Sequence, residues 1–318
     1  MKTYKLGLIL ATGLATIFLG CSSGSDGGSS NTELTPEKAE QLASTAAEAL
    51  PGCVYESDNM LAPAKSSSVM RLYTQTVKDM KAEKRVISRE VEEIYEEQVG
   101  TCPTNPGLFI IAGEHENGVD NLTYTFNQYC SGDTYENTVV DGGFSVKAVG
   151  EPSDYGPIPQ YMELKSGDLS VKETSSEGVF TSTLKAKSIK FTYGNGENDP
   201  TASNPNVLEI GLLSAADGRT KEEFSVSDVQ VRTYGSGTNS VVVVDSATYT
   251  DSENGTVKVS TTPLTINENG EAIGGDVIVE GANGSTLIMQ PDPSVQNGFS
   301  VQVEGETIGV MNCSGLSE

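Results

Sequence analysis

Tryptophan is absent from the 318 residues, and histidine occurs once, at His115. Indole is the usual platform for a pyranose ring, so its absence weakens a sugar-binding reading, although the 12 tyrosines supply a smaller substitute. One imidazole also excludes the paired histidines of a zincin helix, and it gives a catalytic triad no base unless His115 lies in a deep site. Its surroundings, Gly113-Glu114-His115-Glu116-Asn117-Gly118, read instead as a solvated hairpin tip. No glycine-rich phosphate loop followed by Lys-Ser/Thr occurs, and the five cysteines lack the paired short spacings of a zinc site. No nucleophile, base and cleft converge in the pattern, so the chain reads as a non-enzyme without a cofactor.

Cations are scarce as well. Lys+Arg number 20 against 44 Asp+Glu, a formal charge of −24. Removing Lys2 and Lys5 with the leader described below leaves 18 against 44, or −26. Such a surface repels nucleic acid and anionic lipid headgroups. It reads as solubility outside the cell, with attraction of cations or of a basic protein partner as the sharper alternative.

Lys2 and Lys5 precede a mostly apolar run, Leu6 to Leu19. The run is too short for a spanning helix of about 20 residues and has the layout of a signal peptide, placed at residues 1–20. It closes on Phe18-Leu19-Gly20-Cys21, which resembles the lipobox of bacterial lipoproteins. The resemblance implies that Cys21 receives a diacylglyceryl group, becomes the mature N-terminus and fixes the protein to a membrane. Phe18 and Leu19 depart from the usual Leu and small residue of that motif. Ser22, where Asp commonly signals inner-membrane retention, points by the same resemblance to the outer membrane. Residues 21–34 are the lipidated cysteine and a Ser/Gly-rich tether.

Residues 35–101 read as helical. Thr35-Pro36-Glu37 opens a helix that Leu50-Pro51-Gly52 stops, with Ala39, Ala43, Ala46 and Ala47 on one face. A longer helix is expected from Ser67 to Val99, because Met70, Val77 and Val91, and also Tyr73, Met80, Ile87 and Ile94, recur at sevens. Lys84 interrupts the stripe, so a helix laid on its own sheet is preferred to a coiled-coil seam.

After Cys102 the texture changes. Alternating runs rich in Val, Thr, Ile, Tyr and Phe are divided by Gly, Asn, Asp and Ser clusters, giving an antiparallel β domain over 102–318. The expected fold is mainly β with N-terminal helices: an extended, twisted antiparallel sheet or open barrel packed against the long amphipathic helix. Asp141-Gly142-Gly143-Phe144 and Ile273-Gly274-Gly275-Asp276 each read as a paired glycine opening a strand, a weak internal echo. The stretch Thr123-Tyr124-Thr125-Phe126-Asn127-Gln128-Tyr129-Cys130 with Asp141 to Phe144, and the C-terminal run from Pro263 to Leu287, resemble elements of uncharacterised β-rich envelope lipoproteins of proteobacteria. That resemblance implies location and fold and brings no activity.

With Cys21 spent on lipid, Cys53, Cys102, Cys130 and Cys313 remain for two disulfides. Leu108 to Gly113 and Leu122 to Gln128 flank the Asn117-Gly118 turn, which puts Cys102 and Cys130 near facing positions at the open end of a hairpin. Cys53 would then join Cys313; Cys53 with Cys102 and Cys130 with Cys313 is the rival pairing. Calcium is the one metal the acidic turns invite, most of all at Asp251, Glu253 and Asn254, but the EF-hand pattern lacks its closing Glu and the turn reads as only a turn. The functional expectation is a lipid-anchored envelope protein with a structural or interaction role toward a protein partner. The alternative is a carrier of an apolar ligand held between sheet and helix.

Overall fold

The computed structural model describes residues 92–317 apart from 152–157, 195–199, 220, 222, 236–238, 252–254, 269–270, 296–297 and 313–314. The chain forms two compact units. The first helix and most of the second lie outside the described residues, as do Cys21, Cys53 and Cys313.

One unit draws on Ser67–Glu197 and Ile210–Glu223. Its strands are β1 (Glu92–Val99), β2 (Leu108–Glu116), β3 (Val119–Gly132), β4 (Asn137–Glu151), β5 (Ile158–Ser175) and β6 (Gly178–Thr192), together with the part of β7 (Asn206–Ala216) from Ile210 onward. Strands β1 to β6 pair antiparallel in chain order, a meander. Alternation sorts the side chains. Phe126, Phe144, Val146, Leu164, Leu169, Val171, Leu184 and Ala186 are buried on one face, and Lys, Asp, Ser and Thr occupy the other.

The other unit draws on Asn198–Glu209 and the chain from Phe224 onward. It contains β8 (Glu223–Tyr234), β9 (Asn239–Asp251), β10 (Gly255–Thr261), β11 (Leu264–Asn267), β12 (Ala272–Gly274), β13 (Val277–Glu280), β14 (Thr286–Asp292), β15 (Gly298–Val303), β16 (Glu306–Asn312) and β17 (Gly315–Ser317). β9 takes β8 on one side and both β10 and β11 on the other. β10 continues to β13, and β13 to β17 follow in order by antiparallel pairing. Thr256 to Ile266 reads as one strand in the sequence but is two, with the break beside Pro263, which has no N–H for the ladder. Thr261 Oγ1 accepts from the Val244 N–H at 2.8 Å just before the break. Val242, Ile266, Leu287, Met289, Phe299 and Val301 form a buried apolar set.

The long-helix expectation is corrected where the structure meets it. Glu92–Val99 is a strand paired along its whole length with β2, and the one helical element among the described residues is a 3-10 turn at Ala282–Gly284. The described sheet is therefore not packed against a long amphipathic helix. Of the heptad stripe only Ile94 falls in this span, and it is buried opposite Gly113. Helix propensity of the glutamates is a weak prior, and pairing that covers the edge of apolar β2 outweighs it.

The paired glycines are corrected too. Gly142 and Gly143 lie inside β4, not at its start, and Gly142 has φ +108° with the Asp168 carbonyl 2.1 Å from where a Cβ would sit. At the turn after β3, Asp133 accepts backbone N–H bonds from Glu136 and Tyr135, which hold its carboxyl below the usual carboxylate range.

Candidate functional site

Cys102 and Cys130 are joined in a disulfide with Cα atoms 5.5 Å apart. Local geometry explains the pairing. The Asn117-Gly118 turn has φ +51° and +77°, as a two-residue primed hairpin requires, and sets the register that carries β3 back along β2. At Gln128, φ +51°, the β3–β4 register slips by one residue. The bulge leaves Tyr129 among the rings of Phe109 and Phe126, 6.1 and 6.3 Å from them, and turns Cys130 to the opposite face. Backbone bonds from the N–H of Thr101 to the Cys130 carbonyl at 2.8 Å, and from the Cys130 N–H to the Pro106 carbonyl at 2.8 Å, fasten the Cys102 loop there.

Among the other residues singled out in the sequence, Asp251 closes β9, while Glu253 and Asn254 lie outside the described residues.

His115 is not at a solvated tip. β2 runs on to Glu116, so the alternation Phe109, Ile111, Gly113, His115 places the imidazole on the apolar face, where it is 8% exposed. Its Nδ1 lies 2.5 Å from Oδ1 of Asp120, the residue directly opposite on β3. Its Nε2 is buried with no hydrogen-bond partner among the described residues. A sequence signal existed, since the period-2 pattern of β2 continues past Gly113, but Glu114 and Glu116 on either side masked it.

Sequence reasoning also missed a gathering of lysines on the polar face of β4, β5 and β6. Lys147 and Lys190 each face Glu163 across the ladder, Lys187 faces Ser166, Lys185 faces Asp168, and Lys172 faces Val139 and Thr181. Lys190 should fall on the opposite face from Lys185 and Lys187 by simple alternation. The strand breaks alternation at Ser188, φ +55°, beside the β5 bulge at Lys165, and this brings all three to one face. Lys147 and Lys190 then both sit over the Tyr161 ring, 5.7 and 5.1 Å from its centroid. Lys172, Lys185 and Lys187 are exposed; Lys147, Lys190, Tyr161 and Glu163 are half-buried. The ion pairs among the described residues belong to His115, Arg219 and Arg232, so these lysines close none there.

No protein family, no curated protein and no solved structure matches this chain.

Proposed function

We propose that the chain is a lipid-anchored protein of the bacterial cell envelope, exported by residues 1–20 and held at a membrane, the outer one by the identity of Ser22, through acyl chains on Cys21. Its β body acts as a non-enzymatic structural or interaction module. The observation that carries this reading is Gly20-Cys21 at the end of a short apolar run, followed by a Ser/Gly-rich tether. The Cys102–Cys130 disulfide supports export, because such bonds persist in oxidising compartments and are rare where thiols are kept reduced. The likeness to β-rich proteobacterial lipoproteins points the same way. Support for an interaction role comes from the lysines and carboxylates of β4, β5 and β6, which are spread over one sheet face.

The apolar-carrier alternative drew its cavity from a long helix against the sheet, and the fold corrects that packing. The rings on the apolar face stack on one another, Phe109 on Phe126 at 4.7 Å and Tyr124 on Phe144 at 4.6 Å, and no observation favours a ligand between them. Cys21→Ser tests the anchor. Each buried CH₂ of an acyl chain contributes about 0.8 kcal/mol, so the variant should move almost completely from the detergent-requiring fraction to the soluble envelope fraction. Membrane association unchanged by the substitution overturns the reading.

A further inference from the structure

We infer that the lysine-bearing face of β4, β5 and β6 is a docking surface for anionic lipid headgroups, laid against the membrane to which the chain is tethered. The inference rests on the proposed anchor for its partner and on the sheet for its chemistry. In a chain with 20 cations against 44 acids, a face carrying Lys147, Lys172, Lys185, Lys187 and Lys190 against Asp141, Glu163 and Asp168 reverses the sign of its surroundings. The reversal is built by the fold. The irregularity at Ser188 and Lys165 turns Lys190 onto the face, and the Tyr161 ring draws Lys190 and Lys147 toward one point. Cross-strand Glu163 and Asp168 stand opposite lysines without closing an ion pair with them among the described residues, so the ammoniums keep their capacity for an outside anion.

Distance decides between this face and the chain's overall negative charge. The Debye length is about 8 Å at physiological salt, so acids elsewhere on the molecule are largely screened from a headgroup touching this face. Lysines at the contact are not. Docking through the exposed Lys172, Lys185 and Lys187 presents a row of side chains to a planar array of phosphates. A tether to the same membrane raises the effective concentration of headgroups, so contacts too weak to recruit a free protein suffice to orient an anchored one.

The test uses the full mature chain with Cys21→Ser, which removes the acyl contribution, and vesicles of phosphatidylglycerol and phosphatidylcholine against vesicles of phosphatidylcholine alone. Co-sedimentation should show binding only to the anionic vesicles, and binding should weaken as salt is raised. Lys185→Gln with Lys187→Gln, exposed positions whose loss leaves the core intact, should reduce affinity by about fivefold per lysine. Lys258→Gln, an exposed lysine of β10, should not. The inference is overturned by absence of binding, by equal binding to both vesicles, or by binding indifferent to the double substitution. It is also overturned if the wild-type face makes dimers that the double substitution abolishes, since the face would then be an interface between copies. The assay contains no acylated protein, so its failure leaves the Cys21 anchor standing, and loss of the anchor in cell fractionation leaves the vesicle result unaffected.

Discussion

At the scale of single residues, parity decides what a side chain does. His115 and its neighbours Glu114 and Glu116 are similar in polarity, yet the first is buried and the other two are exposed, because successive strand residues point to opposite faces. Burial of the imidazole is compensated on one side by Asp120, whose side chain is 33% exposed, and not on the other, where Nε2 has no partner among the described residues. His115→Ala should therefore cost about 1 to 3 kcal/mol, from lost packing and from a half-buried carboxylate deprived of its donor. Urea unfolding of the wild type and variant measures it. A change within about 0.5 kcal/mol is what a solvated loop histidine would give, and it would contradict the buried placement.

At the scale of elements, the strands were legible and their irregularities were not. Leu108 to Gly113, Leu122 to Gln128 and Glu223 to Tyr234 alternate clearly enough to be read directly, and each lies within an observed strand. Gln128, Ser188 and Asp228 have positive φ and carry nothing in their residue type that announces it. They stand beside breaks in alternation or register, so the faces beyond them cannot be assigned by counting in twos. The lysine face was hidden for this reason, since Lys190 is out of phase with Lys187 until Ser188 is known to break the pattern. The strand Glu92–Val99 was hidden for another, because its glutamates favour a helix locally and only the edge of β2 makes it a strand. The Cys102–Cys130 pairing was recoverable because Asn117-Gly118 fixes a register that sequence spacing alone can measure. With a separation of 28 residues, that bond should stabilise the unit by about 3 to 4 kcal/mol in the chain-entropy model. Unfolding of the Cys102→Ser, Cys130→Ser double variant against the oxidised parent checks the figure. Equal stability would mean that the backbone bonds of the loop, and not the sulfur bridge, hold β3 there.

At the scale of the whole molecule, the proposed export and anchor stand beside the surface charge. The whole chain carries a formal charge of −24, and the lysine face departs locally from that balance. The most direct measurement is the intact mass of the protein isolated from its native envelope, with sequencing of its first peptide. A chain running from Cys21 to Glu318 with a diacylglyceryl group on its first residue is expected. A chain that retains Met1, or one in which Cys21 carries no lipid, contradicts the anchor and with it the proposed function.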